Sequence, residues 1–231
     1  MTIYIPVLGK RLRLTRLDNC GNVPDPGTED SVVITRGFIS VNLSAEVETG
    51  TEIMSRRADG SLCVNERMAD SFKRFNLEME FCGVNPGALS LTTNAEIYND
   101  WQENPRGFTV GEGDIDSKFA LELWTGLSGA ACEPGMEEAS GYLLLPLVQA
   151  GVPGDITVDG ENAITFSMQG GFTKGGNGWG VGPWDVLLDG EGEEAIPAPL
   201  PTALDPYDHL LMIDTGLAPP AEAVGMQPMA A

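Results

Sequence analysis

Three stretches of this chain alternate apolar and polar residues, at 40–48, 75–82 and 164–169. A strand turns successive side chains to opposite faces, so each stretch makes a ribbon with one apolar and one wet side. In the first, Ile39, Val41, Leu43, Ala45 and Val47 point one way, and Ser40, Asn42, Ser44, Glu46 and Glu48 the other. In the second, Phe75, Leu77, Met79 and Phe81 oppose Asn76, Glu78 and Glu80. In the third, Ile164, Phe166 and Met168 oppose Thr165, Ser167 and Gln169. These wet faces are almost free of positive charge, so the pattern predicts an antiparallel sheet whose exposed side is neutral to acidic.

With 231 residues, 42% of them apolar, the chain is long enough for one domain with elaborate loops, or at most two small ones, and can bury a core. Its net charge is −21 and unevenly spread: 11 basic and 15 acidic residues lie up to Gly107, against 2 basic and 19 acidic after it. A surface this acidic repels phosphate, which disfavours adhesive binding to nucleic acid or to anionic membranes. The longest apolar run, 142–148, is far short of the roughly 20 residues that span a bilayer. The amino terminus places Ile3, Tyr4 and Ile5 ahead of Lys10, Arg11 and Arg13, the reverse of a secretory signal, so the chain is expected to stay inside the cell that makes it. Cys20, Cys63, Cys82 and Cys132 show none of the close spacings of metal sites and read as free thiols.

Along the chain, residues 11–17 alternate as a strand would, and a turn-rich loop follows at 22–30; the segment reads as a core strand as easily as an arm, and about 1–30 is taken as an N-terminal arm. Asp59-Gly60, between 52–57 and 61–65, predicts a tight turn and a hairpin arm projecting within about 48–71. Asn85 can cap, and Pro86 can open, a short helix running to Thr93. Residues 119–125 form another predicted strand, with Phe119, Leu121 and Leu123 on one face. Residues 141–148 form a further one, placed at an edge because Pro146 cannot donate to a ladder. Asp159-Gly160-Glu161-Asn162 predicts a second hairpin turn. Seven glycines between 170 and 182 surround Trp179, and seven of the sixteen prolines fall from Pro197 onward. Residues 1–190 therefore read as one β domain, and 191–231 as an extended, proline-rich arm with one apolar element at 210–213.

Catalytic patterns are weak. His209 is the only histidine and lies in the proline-rich arm, where no pocket is implied. Glu112, Asp114 and Asp116 have the alternate spacing of a calcium loop, but Ser117 and Leu123 stand where that loop needs Gly and Glu. The glycine run at 175–182 matches neither nucleotide fingerprint. Glu78 and Glu80 are spaced like an inverting glycosidase pair, a spacing that every alternating acidic strand shares. No cofactor or metal is expected, and no enzyme.

The segments 34–42 (ITRGFISVN), 72–75 with 81–86 (FKRF and FCGVNP), 155–163 (DITVDGENA), 173–177 (TKGGN) and 200–206 (LPTALDP) together resemble the major tail tube proteins of long, non-contractile-tailed bacteriophages, notably those infecting actinobacteria. The resemblance spans most of the chain and is carried by structural motifs, not catalytic ones. It implies a β-sandwich or barrel-like subunit with a short flanking helix, six to a ring, with rings stacked into a virion tube assembled in the host cytoplasm. The implied partners are other copies of the chain, the tape measure protein, the tail terminator and tail tip proteins, and DNA that passes through without specific binding. No membrane is among them.

On that reading the lumen is lined by Ser40, Asn42, Ser44, Glu46, Glu48, Asn76, Glu78, Glu80, Thr165, Ser167 and Gln169. An acidic wall lets DNA, with one charge per about 1.7 Å, slide without counterion-release adhesion. The hairpin residues Glu52, Ile53, Met54, Arg56, Arg57, Leu62 and Val64, and the C-terminal arm, are expected to bridge to neighbouring subunits. The alternative is a carbohydrate- or host-binding β-sandwich that uses Trp101, Trp124, Trp179 and Trp184 as a stacking platform.

Overall fold

The computed structural model describes residues 6–27, 30–83, 85–127, 140–156, 164–176, 178–190 and 195–229. The protein is mainly β: of the described residues 54% are strand and 4% helix. Its first half contains β1 (Pro6–Leu17), β2 (Asp30–Thr35), β3 (Phe38–Glu48), β4 (Glu52–Arg56), β5 (Leu62–Arg67), β6 (Ser71–Cys82), α1 (Pro86–Thr92), β7 (Ala95–Asn99) and β8 (Pro105–Val110). The second contains β9 (Lys118–Leu127), β10 (Ser140–Gln149), β11 (Val152–Pro153), β12 (Thr165–Thr173), β13 (Leu187–Asp189), β14 (Ile196–Ala198), β15 (Leu211–Thr215) and β16 (Gln227–Pro228).

One antiparallel sheet runs β16-β2-β1-β9-β10-β12-β6-β3, with β11 on β12 and β15 on β10. β2 and β3 sit near opposite ends of that order, yet only Arg36 and Gly37 separate them. Three residue steps reach at most about 11 Å, so the sheet must curl until its ends meet. One contact shows this approach: a Cβ on Gly9 of β1 would sit 2.7 Å from Phe38 Cζ of β3.

The inside of the curl is the main core. Leu12 and Leu14 of β1, Leu77, Met79 and Phe81 of β6, Phe119 and Leu121 of β9 and Met168 of β12 close over Ala88 and Leu91 of α1. The apolar faces read from the alternation of β6, β9 and β12 are the faces buried here. α1 forms where Asn85 and Pro86 predict it, with Asn85 Oδ1 accepting from Ala88 N–H at 3.2 Å. Three differences from the sequence reading matter. Residues 6–17, placed in an arm, form a strand held between β2 and β9, because Leu12 and Leu14 are apolar enough to be wholly buried. β10 is interior, not an edge. Pro146 is tolerated because it falls in the irregularity between Leu145 and Val148, where β10 also passes from β15 to β12 as its second partner.

The third difference is the C-terminal arm, which folds back on its own subunit. Leu200, Val186 and Trp179 form a second core on the outer face of β9 and β10, with Leu17, Ala120, Trp124, Tyr142 and Leu144. β15, the expected apolar element, adds to β10, and β16 covers part of the outer edge of β2, with Met229 buried beyond it. The glycine run serves this packing. Gly175 has φ +93° and lies so close to the Pro206 carbonyl that a Cβ would collide with it, and Trp179 is buried at 4% exposure. The expected turn at 159–162 lies outside the described residues.

Candidate functional site

Strands β3, β6 and β12 lie side by side and bring the three wet faces into one surface. Ser40 and Ser167 both pair with Glu80, Asn42 pairs with Glu78, Ser44 with Asn76, and Thr165 with Cys82. Gln169 enters a bulge between Met168 and Gly171, opposite Glu78. Glu48 continues the row, paired with Ser71. Every residue expected on the wet face is therefore turned away from the core formed by Leu77, Met79 and Met168.

The electrostatics of this face differ from the expectation in one place. A bulge between Glu46 and Val47 sets two consecutive β6 residues against Glu46. Lys73 Nζ and Arg74 Nε each lie 2.7 Å from its carboxylate. The Lys73 hydrogen bond first, and Arg74 second, hold the Glu46 carboxyl below its ordinary range. The β12 bulge also shifts parity, so that Phe172 comes to the wet face beside Asn76 and Arg74 stacks on its ring at 4.4 Å. The surface is thus acidic at Glu78 and Glu80 and neutralised near the hairpin. Alternation could not reveal this, because a bulge inserts a residue and reverses the facing of all that follow it.

The outer edge of β3, eleven residues long, pairs with no described strand. Beside it the β4–β5 hairpin stands out from the molecule, and every residue from Thr51 to Lys73 is exposed. The Asp59-Gly60 turn forms as its sequence requires. Gly60 takes φ +85°, and Asp59 Oδ1 accepts the Ser61 N–H and hydroxyl at 2.9 and 2.6 Å. Cross-strand partners share a face, which puts Met54, Arg56 and Leu62 on one side and Ile53 and Val64 on the other, all in water. Apolar side chains on both faces of an isolated hairpin have nothing of their own chain to pack against.

The remaining candidates fall elsewhere. Glu112, Asp114 and Asp116 lie along an exposed loop, and no group of three metal-ligating side chains converges among the described residues. Cys20, Cys63 and Cys82 are free and exposed; Cys132 lies outside the described residues. Trp124 and Trp179 are core residues, Trp184 packs over Arg13 at 4.1 Å, and Trp101 stands alone at 98% exposure. The four tryptophans therefore build no common platform.

His209 is a clasp. Its Nδ1 lies 2.6 Å from Thr173 Oγ1 and its ring meets Phe72 edge-on at 5.3 Å. The same hydroxyl accepts Phe75 N–H at 3.0 Å, tying the C-terminal segment to β6 and β12. Burial lowers the His209 pKa from its ordinary 6.5, against an opposing pull from Asp208. The folded chain thus prefers the neutral ring, and that stabilisation is complete above the unfolded value and lost as pH falls toward the depressed one. Acidification below about pH 6.5 should lower the amide protection factors of residues 205–213, and His209→Gln should flatten this dependence. An identical pH response in both proteins would exclude the clasp.

Sequence reasoning missed the buried charge cluster of the second core. Glu122, wholly buried, receives Arg13 Nε and Nη2 at 2.6 Å each and the Tyr142 hydroxyl at 2.7 Å. Arg13 is stacked between Trp184, at 4.1 Å, and Trp124, at 4.9 Å. Burial, then the Glu122 charge, raises the Tyr142 pKa well above its ordinary value. The available signal was Glu122 itself, a lone carboxylate in the strand KFALELWTGL, whose burial demands a cation. Arg13, Glu122 and Tyr142 are all buried. The chain matches no protein-family model and no curated protein.

Proposed function

We propose that this chain is a non-enzymatic structural subunit that polymerises through stacked rings, six copies to a ring by the family resemblance, into the tail tube of a non-contractile bacteriophage. The observation that carries the reading is the pairing of an open, eleven-residue β3 edge with the polar face of β3, β6 and β12 beside it. An open edge of this length is a template for another strand, and monomers normally guard such edges. Pairing it with a neighbour continues the polar face from copy to copy, and a closed ring of copies removes every edge. Glu48, Glu78 and Glu80 form no ion pair among the described residues, so the continued face carries unneutralised carboxylates toward the lumen. Such a wall repels a phosphate backbone and favours passage over adhesion.

In this reading the tape measure protein and then DNA occupy the lumen, the terminator and tip proteins meet the ends, and the protein resides in the virion. The C-terminal segment contributes to the subunit's own stability, since β15 and Met229 are engaged within the chain. Bridging falls chiefly to the hairpin. Negative-stain microscopy of the concentrated protein tests the proposal: hollow tubes of uniform width are expected. A chain that stays monomeric at the highest attainable concentration would overturn it.

A further inference from the structure

We infer that the β4–β5 hairpin of one copy docks on the β7–β8 hairpin of another, with Trp101 as the anchor. The inference rests on the reading of this chain as a self-assembling subunit and names the two surfaces that meet. β7–β8 buries one face: Ile97 pairs with Phe108, whose ring meets Phe166 edge-on at 5.7 Å. The opposite face carries Glu96, Tyr98 and Thr109, with Tyr98 at 60% exposure opposite Gly107, where a side chain would meet nothing. At the tip Trp101 is 98% exposed.

That exposure is built, not incidental. Asp100 accepts backbone N–H groups from Gln102 and Asn104 at 2.9 Å each and Arg106 Nε at 2.7 Å. The Asn104 N–H, with Arg106 and Gln102, holds the Asp100 carboxyl below its ordinary range. Glu103 is the one described residue other than glycine in the left-handed region, at φ +62°. A turn ordered by its own hydrogen bonds, and strained at one residue, holds a bare indole in water. Tryptophan is among the side chains enriched at the energetic centres of interfaces, and holding it in place beforehand lowers the cost of binding.

Charge selects the partner. Residues 95–116 carry six carboxylates against one arginine. The complementary surface on this chain is the tip of β4–β5, where Arg56 and Arg57 form no ion pair among the described residues, with Met54 and Leu62 exposed beside Arg56. Guanidinium stacks on indole, and the thioether and leucine chains cover Tyr98 and Gly107. Both surfaces are open in every copy and differ from one another, so the contact is head-to-tail and can propagate.

Cys63, exposed on β5, reports the contact directly. In assembled Gln102→Cys protein, mild oxidation with diamide should join chains into a ladder of linked oligomers, as a head-to-tail contact requires, and Cys63→Ser in the same background should abolish the links. Acrylamide should quench Trp101 in dilute monomer and lose access on assembly. Arg56→Glu/Arg57→Glu and Trp101→Ala should each raise the concentration needed for assembly about tenfold or more. Glu96→Lys/Glu112→Lys should restore assembly to the Arg56→Glu/Arg57→Glu protein, which a merely structural role would not produce. Tubes that form with Trp101 still quenched and no Cys63 link would overturn the docking while leaving the tube reading intact. A chain that remains monomeric overturns both. Saturable protection of Trp101 by a glycan without self-association would overturn the docking in favour of a sugar platform.

Discussion

Glu122→Gln is expected to destabilise the protein by about 3–5 kcal/mol, the cost of leaving one partner of a buried ion pair uncompensated. For a chain of this size that lowers the unfolding temperature by roughly 2–4 °C per kcal/mol. The reason lies in what remains. Arg13 is 5% exposed with its guanidinium held between two indoles, while its bidentate acceptor, which also accepts from the Tyr142 hydroxyl, becomes neutral. The companion double variant Arg13→Met/Glu122→Leu should recover much of the loss, since removing both charges also removes the desolvation penalty. Thermal unfolding of the three proteins checks this. A Glu122→Gln protein within about 1 kcal/mol of the parent would show that the pair is not the brace of the second core.

Deleting residues 55–61 should have the opposite character: no effect on folding and complete loss of polymerisation. Every residue removed is exposed, and the hairpin lies outside both hydrophobic clusters, so unfolding temperature and circular dichroism should match the parent. What disappears is the surface carrying Arg56 and Arg57 and the turn that orders Ile53, Met54, Leu62 and Val64 for contact with another copy. Sedimentation and microscopy should find folded monomers at concentrations where the parent forms tubes. Tubes of normal length from the deleted chain would remove the hairpin from the assembly contact, whatever the identity of the tube.

Much of the architecture was legible in the chain. Alternation identified β3, β6, β9 and β12 because burial on one side imposes a period of two, although on β3 only Val41 and Leu43 of the expected apolar face reach the core, while Ile39, at an irregularity, and Val47 stay exposed. The hairpin turn at Asp59-Gly60 and the cap at Asn85 were legible because each depends on a few adjacent residues and their backbone angles. Pro146 misled because its missing N–H is harmless at an irregularity, and whether a strand has one depends on its partners. The C-terminal segment misled for a related reason. Its prolines and glycines suit an extended path, but Leu200, Leu211 and Met229 determine where that path lies, and the surfaces they cover come from strands far away in sequence.

Local terms are written in short stretches of the chain: the apolar alternation of most strands, where the chain turns, where the helix starts, and that the wet strands are poor in cations. What meets across long separations emerges only when the strands pack together. That packing brought Lys73 and Arg74 onto Glu46 through a bulge and set Glu122 against Arg13, 109 positions away. It also left β3 with an open edge while giving the other long strands of the sheet neighbours. Local patterns act through backbone geometry within a few residues, whereas pairing and burial depend on which surfaces the closed sheet brings together, and no short stretch of the chain carries that information.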